Sequence, residues 1–330
     1  MKKIIRWGII GTGKIARKFA EAMPFAADAE LIAVASREAH KSTRFAQDFG
    51  IKYAHSTYQA LAENPEVDAV YIATPHVFHC ANTLLCLEAG KGVLCEKPFA
   101  MNQHEVKQMI AKAREKKAFL MEALWTRFSP HFMQVKDLIS DGTIGEIRSL
   151  QADLGFQAPY DEMGRLFNLE LGGGALLDVG VYPLFLAYCL LGKPIEIQAT
   201  ARIGKTQVDE HCGMIFRYPK HEIALLSCSL ITHQSIEANI FGDKGRIRLN
   251  MPFYKPYSRI EIIRPFDQIE PVEVQYVGNG YNYEIQEAVR CMQAGKIESE
   301  IWSWQESLEL MEILDEVREK IGLTYDGVKG

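Results

Sequence analysis

An apolar segment, Ile4-Ile5-Arg6-Trp7-Gly8-Ile9-Ile10, runs directly into Gly11-Thr12-Gly13-Lys14-Ile15-Ala16, and few folds accommodate that succession. It spells a strand, a tight turn and a helix. Gly11 lets the strand turn, Gly13 lets a pyrophosphate approach the backbone, and the small Ala16 lets the helix lie close on the strand with its N-terminus aimed at the phosphates. Glycine turns between strand and helix are common by themselves. Here a second strand arrives on schedule at Leu31 to Ser36, which favours a dinucleotide-binding loop over a purely structural turn.

The second strand ends in Ala33-Val34-Ala35-Ser36-Arg37, where an NAD-binding protein would place a carboxylate against the ribose hydroxyls. Ser36 and Arg37 suit a 2′-phosphate instead, and Lys41 adds charge one helical turn later, so NADP is expected over NAD. The plainer alternative makes Arg37 and Lys41 an ordinary solvated helix start.

Strand and helix patterns alternate from there. A helix is expected over Ala39 to Phe49, a short strand near Lys52 to Ala54, a helix over Thr57 to Ala62, and a buried strand over Val67 to Ala73. A helix over His79 to Ala89, a strand over Lys91 to Glu96, a helix over Asn102 to Lys116 and a strand over Phe119 to Glu122 follow. Together they describe an α/β doubly wound parallel sheet, assigned to residues 1–123 as a cofactor domain. Past about residue 125 the rhythm changes. Strand-like runs follow one another at Ile144 to Phe156, Ile195 to Ile203, Cys212 to Tyr218, Ile223 to Leu230, Ser235 to Phe241, Arg246 to Leu249, Arg259 to Ile263 and Pro271 to Val277. Residues 124–330 are therefore expected to form an α+β substrate domain, and the amphipathic stretch from Ile301 to Ile321 a long helix packing back on the first domain.

With 48% hydrophobic residues in 330, two cores can be filled. A net charge of -5 without basic runs gives no footprint for nucleic acid or an anionic membrane, so a small-molecule substrate is expected. Met1-Lys2-Lys3 leads into a strand too short for a signal-peptide core. Cys80, Cys86, Cys95, Cys189, Cys212, Cys228 and Cys291 show no disulfide or zinc spacing and read as reduced core thiols. A cytoplasmic protein is expected.

Ligands of such sheets gather beyond the carboxyl ends of the strands. Two ends stand out: Thr74-Pro75-His76, and Glu96-Lys97-Pro98, where proline fixes the chain and suits a held ammonium. His76, His79 and Cys80 lack a second cluster, so no metal is expected and packing or substrate-facing roles are preferred. Gly172-Gly173-Gly174 opens another helix, on which Asp178 and Tyr182, four positions apart, share a face. A phenol with reference pKa ~10 becomes useful near neutrality if an ammonium stabilises its phenolate, and Lys97 is the candidate. A structural Tyr182, hydrogen-bonded within the core, is the alternative.

Gly11-Thr12-Gly13 with Ala16, Ala35-Ser36-Arg37, Ala73-Thr74-Pro75-His76 with His79, Glu96-Lys97-Pro98 and the glycine-led Asp178 helix together resemble the Gfo/Idh/MocA family. Met121-Glu122-Ala123-Leu124-Trp125-Thr126-Arg127-Phe128, with Tyr182 where many members have His, is similar to its branch of dimeric dihydrodiol dehydrogenases and NADP-dependent D-xylose dehydrogenases. The resemblance implies a Rossmann sheet joined to a large open, mostly antiparallel sheet used to form a homodimer. It implies cofactor contacts from Gly11, Thr12, Gly13, Lys14, Ile15, Ser36, Arg37, Lys41, Ala73, Thr74, Pro75, His76, His79, Glu96, Lys97, Trp125 and Arg127. Lys97, Asp178 and Tyr182 would meet at the nicotinamide, with His76, Trp125, Phe156 and Tyr281 or Tyr283 beside the substrate, a sugar, cyclic polyol or trans-diol. Tyr182 would move the hydroxyl proton, Lys97 lower its pKa and Asp178 hold the geometry. A non-catalytic NADP-bound sensor is the competing class, though it has no need of such a set. A short-chain dehydrogenase is disfavoured because no Tyr-x-x-x-Lys occurs before the terminal Tyr325-Asp326-Gly327-Val328-Lys329.

Overall fold

The structure, a computed structural model, describes residues 3–325. Its first half alternates as the pattern requires: β1 (Ile5–Ile10), α1 (Lys14–Ala22), β2 (Ala29–Ala35), α2 (Ala39–Phe49), β3 (Tyr53–His55), α3 (Tyr58–Ala62), β4 (Ala69–Ile72), α4 (His79–Glu88), β5 (Gly92–Glu96), α5 (Gln103–Lys116) and β6 (Leu120–Ala123). Helix ends follow local chemistry. Thr57 accepts from Ala60 N at 3.1 Å and Asn102 from Glu105 N at 2.9 Å as N-caps, while Gly50 closes α2 in the left-handed conformation. The six strands pair in parallel in the order β3-β2-β1-β4-β5-β6. β4, β5 and β6 are buried throughout, as strands covered on both faces must be. The reversal of strand order between β1 and β4 is where such sheets place a ligand.

The second half contains α6 (Pro130–Ser140), β7 (Ile147–Gly155), α7 (Val181–Leu191), β8 (Glu196–Ile203), β9 (Asp209–Arg217), β10 (Ile223–Ser229), β11 (Ala238–Gly242), β12 (Gly245–Leu249), β13 (Ile260–Arg264) and β14 (Gln268–Val272), before α8 (Tyr281–Gln293) and α9 (Trp304–Lys320). Its eight strands run β14-β13-β12-β11-β7-β10-β9-β8, antiparallel except for the pair β7·β10. Alternate residues of β9 and β10 are buried, so the sheet has one inner face. The strand expected over Pro271 to Val277 instead forms earlier, because a short turn at Pro265–Asp267 sets Gln268 directly opposite Arg264. Helices α6 and α8 were not among the expected elements.

The compact units are interleaved rather than divided at 123/124. One comprises the chain through Phe128 with Val277–Leu308, the other Ser129–Tyr276 with the chain from Glu309. Specific bonds tie the returning segment into the first unit. Leu120 N donates to Ile297 O at 2.9 Å, Trp304 Nε1 to Leu120 O at 2.8 Å, and Trp302 Nε1 to Glu122 Oε2 at 3.0 Å. The expected C-terminal helix is α9, whose first turn belongs to the first unit and the remainder to the second.

Candidate active site

The turn after β1 is built as its glycines require. Gly11 has φ +107°, and a Cβ there would stand 2.6 Å from Ala73 O, so the two strand ends can approach only with glycine. Gly13 caps α1 in extended conformation with no side-chain cap, no acidic residue in the first turn and open space where a Cβ would point. Unsatisfied backbone donors facing free space form an anion cradle. Thr12 is half-buried at its rim, Lys14 and Ile15 are exposed, and Ala16 is buried against the sheet.

After β2, buried Ser36 accepts from Glu38 N at 3.2 Å, and the exposed Arg37 guanidinium lies 5.2 Å from the centre of the Phe78 ring. That leaves Arg37 at the rim as a held cation. Lys41 ion-pairs with Glu38 on the solvent side of α2. Glu38, which directly follows Arg37, thereby compensates the charge of Lys41.

Beyond β4, Ala73, Thr74 and Pro75 are half-buried, and His76 and His79 are buried with rings 5.8 Å apart. His79 Nδ1 lies 2.9 Å from Pro98 O and Nε2 2.9 Å from Thr74 O. Carbonyls only accept, so the ring donates to one or, when protonated, to both, and it ties the ends of β4 and β5 together. Beyond β5, the Lys97-Pro98 peptide is cis. Glu96 accepts from the Tyr71 hydroxyl and, at 3.2 Å, from Lys97 N. Glu122 accepts from Phe99 N at 3.1 Å and so holds the far side of the same turn. Burial pushes the Glu122 carboxyl up to about 6. Buried Trp125 stacks on Tyr281 of α8 with centroids 4.8 Å apart, and Arg127 is buried beside it in sequence. Tyr283, the alternative to Tyr281, instead accepts from Val277 N at 2.7 Å.

In the second unit the glycine run feeds Leu176–Gly180, a π-helical stretch, into α7. The expected α-helical spacing from Asp178 to Tyr182 therefore gives way to a wider turn, a distortion common at functional sites. Asp178 is a bidentate partner of Arg165, at 2.8 and 3.4 Å. The Tyr182 ring lies 4.6 Å from that of Tyr254, whose hydroxyl pKa is pushed up by burial and raised further by the Asp178 charge, against the lowering effect of Lys255. Asp178, Tyr182, Tyr254 and Arg165 thus form one locality. Two features hold it. Leu176 N donates to buried Asp209 at 2.7 Å, and a Cβ on Gly173 would meet the carbonyls of Leu166 and Asn168 at 2.8 Å and of Arg165 at 2.9 Å. Burial pushes Asp209 up to about 7. Phe156 follows β7 and donates its N–H to Ser229 O at 3.1 Å.

Arg165, Tyr254, Asp209 and Tyr71 were not singled out in the sequence. Tyr71 alone left a signal there, a phenol inside a strand that has to be buried on both faces.

Known proteins bear on this arrangement. Residues 5–124 match the oxidoreductase family with NAD-binding Rossmann fold, and residues 132–248 match the GFO/IDH/MocA C-terminal domain. The chain is 37% identical to a trans-1,2-dihydrobenzene-1,2-diol dehydrogenase of Danio rerio, covering 97% of this chain and 98% of that one, and 34% identical to the Homo sapiens protein of the same name over the same shares. A 3-ketoreductase from Actinomadura kijaniata, solved with NADP and TDP-benzene, has a TM-score of 0.87 at 30% identity, covering 96% of this chain and 98% of that chain. Because the cofactor half and the C-terminal half each match their own model, and full-length relatives exceed 30% identity, the chain belongs to the Gfo/Idh/MocA family of oxidoreductases.

Proposed function

We propose that the protein is an NADP-dependent dehydrogenase that moves a hydride between the nicotinamide and a carbinol or carbonyl carbon of a trans-diol, sugar or cyclic polyol. The observation that carries this is Tyr182, a buried phenol in an apolar helix beside the Asp178–Arg165 ion pair. Such a phenol is placed to hold or move a proton where water is scarce. The relatives named for dihydrodiol oxidation and the 3-ketoreductase solved with NADP support the choice of chemistry.

The residues present fit the cofactor. The bare N-terminus of α1 at Gly13 suits a pyrophosphate, and Ser36 with the Phe78-backed Arg37 suits a 2′-phosphate. When bound, NADP supplies the hydride acceptor or, reduced, its donor. Tyr182 takes the proton from the substrate hydroxyl in oxidation and returns it in reduction. Lys97 stabilises the phenolate and orients the substrate oxygen, and Asp178, held by Arg165, fixes the position of the phenol. Trp125 and Tyr281, already stacked, offer an apolar wall to the substrate, with His76 and Phe156 completing its surroundings.

Screening NADP reduction with trans-dihydrodiols, aldoses, inositols and anhydrosugars tests the reading. Inactivity across the panel with NADP still tightly bound would favour a sensor of the same fold. Arg37→Ala is expected to raise the KM for NADP by about 10- to 100-fold, the worth of one or two charge-assisted hydrogen bonds, and to leave that for NAD nearly unchanged. Equal losses for both cofactors would remove Arg37 from the 2′-phosphate.

A homodimer formed through the second unit's open face is part of the same proposal. Ile215 and Leu225 pair across β9 and β10, exposed at 47% and 42%, with Ile223 also outward. Ile215 and Leu225 border a depression of about 710 Å³ that includes Gln151, Gln198 and Thr200. A row of outward aliphatics on a sheet asks for cover. Light scattering at micromolar concentration is expected to return twice the monomer mass, and a monomer mass would overturn the assignment. Cytoplasmic residence belongs to the proposal as well, in keeping with seven free cysteines of which six are buried.

A further inference from the structure

Beneath the Glu96-Lys97-Pro98 turn, the first unit buries more carboxylate than it pairs. Glu96 from β5, Glu122 from β6 and Glu284 from α8 are all buried. Their donors are unequally shared. Glu122 accepts from Phe99 N and Trp302 Nε1, and Glu96 from the Tyr71 hydroxyl and Lys97 N. Glu284 is fully buried, and neither of its oxygens has a hydrogen-bond partner among the described residues.

Two effects compete over the charge of Glu284. It stands in the first turn of α8, where the helix dipole favours a carboxylate modestly. Loss of water opposes the charge far more strongly, and the neighbouring Glu96 opposes it further, so its carboxyl titrates well above the usual range. Tyr71, with its ring stacked on Phe19 at 3.8 Å, is set against both carboxyls and stays protonated. Glu96 itself is faced by Tyr71 from β4, by Lys97 and by Glu122 from β6.

We propose that Glu96 and Glu284 form a buried carboxyl pair that carries one negative charge, the charge residing on Glu96, where Tyr71 and the Lys97 backbone donate to it, and the proton residing on Glu284. Donor count decides the split, because an ionised carboxylate with two donors is far less costly than one with none. Tyr71 and Glu284 are then positioning residues. They fix how much negative charge stands behind Lys97, and the kinetic part of this inference rests on the reading of Lys97 given above. Burial pushes the Glu96 carboxyl up to about 7, so the charge appears within the range in which turnover is measured.

Two measurements test the pair. The first is thermal and needs no substrate. A carboxyl whose folded-state pKa is raised contributes stability that is full below the ordinary glutamate range and is lost as pH rises toward the folded value. Glu284→Gln, a neutral isostere, is therefore expected to melt about 2 °C or more above the native chain at pH 8.5, with the gain vanishing by pH 5. An equal or lower melting temperature at pH 8.5 would mean that Glu284 is ionised and paired, and overturns the proposal. The second measures turnover of trans-1,2-dihydrobenzene-1,2-diol with NADP from pH 5.5 to 9. Tyr71→Phe removes a donor to Glu96 and is expected to move the near-neutral inflection upward by about one unit, and Glu96→Gln to abolish it. An inflection unchanged in both variants overturns the proposal. Absence of turnover in the native chain would instead count against the proposed function, and the melting comparison would still decide the state of Glu284.

Discussion

Replacing Tyr182 with Phe is expected to lower kcat by roughly 10²- to 10⁴-fold while leaving NADP affinity nearly unchanged, the signature of a lost proton-transfer group. The substitution is narrow. It keeps the ring that lies 4.6 Å from Tyr254 and removes only the hydroxyl, so packing in the second unit is retained. A tyrosine with a merely structural role behaves otherwise. Its loss of one buried hydrogen bond costs about 1 kcal/mol of stability and leaves the chemistry intact. Measuring kcat beside a melting curve separates the two, and near-normal turnover would return His76 or His79 to consideration as the base.

Lys97→Met should cost turnover by about 10²-fold or more and, more tellingly, move the pH profile. A neighbouring ammonium favours the phenolate and lowers the phenol pKa, so removing it raises that pKa. In the oxidation direction the rate rises as the phenol loses its proton, and the rising limb is therefore expected at higher pH in the variant. Unlike the loss of rate, this shift cannot come from weaker cofactor binding. A reduced rate with the limb unmoved would leave Lys97 as an anchor only.

How far the sequence reached depended on whether a feature was local. The β1 turn, Ser36-Arg37 and Glu96-Lys97-Pro98 each declare themselves within a few residues, because a strand end and the chemistry placed on it are contiguous. Arg165 and Tyr254 could not be read this way. Each reaches the Asp178 region from a separate loop, and nothing in the spacing of those loops encodes the meeting. Helix α8 escaped for another reason. Its inner face carries Asn282, Glu284 and Glu287 among the apolar residues, which blurs the 3.6-residue period that would reveal it. The π-helical stretch at Leu176–Gly180 was hidden too. An apolar run looks the same whether its hydrogen bonds close four or five residues back, and the buried Asp209 that fixes its start lies thirty-odd residues further along the chain.

The chain crosses between its two compact units three times among the described residues, after Phe128, after Tyr276 and after Leu308. This bears on how such a protein can change its substrate. A gene fusion that joins a cofactor module to a new partner at a single point would strand Tyr281, Trp302 and Trp304, whose contacts with Trp125, Glu122 and Leu120 complete the first unit. Trading the whole second unit would require three compatible joins at once. Point changes in the loop that carries Arg165, or beside Tyr254, require none, so diversification of this architecture is channelled into loop substitution within an uncut scaffold rather than shuffling of modules.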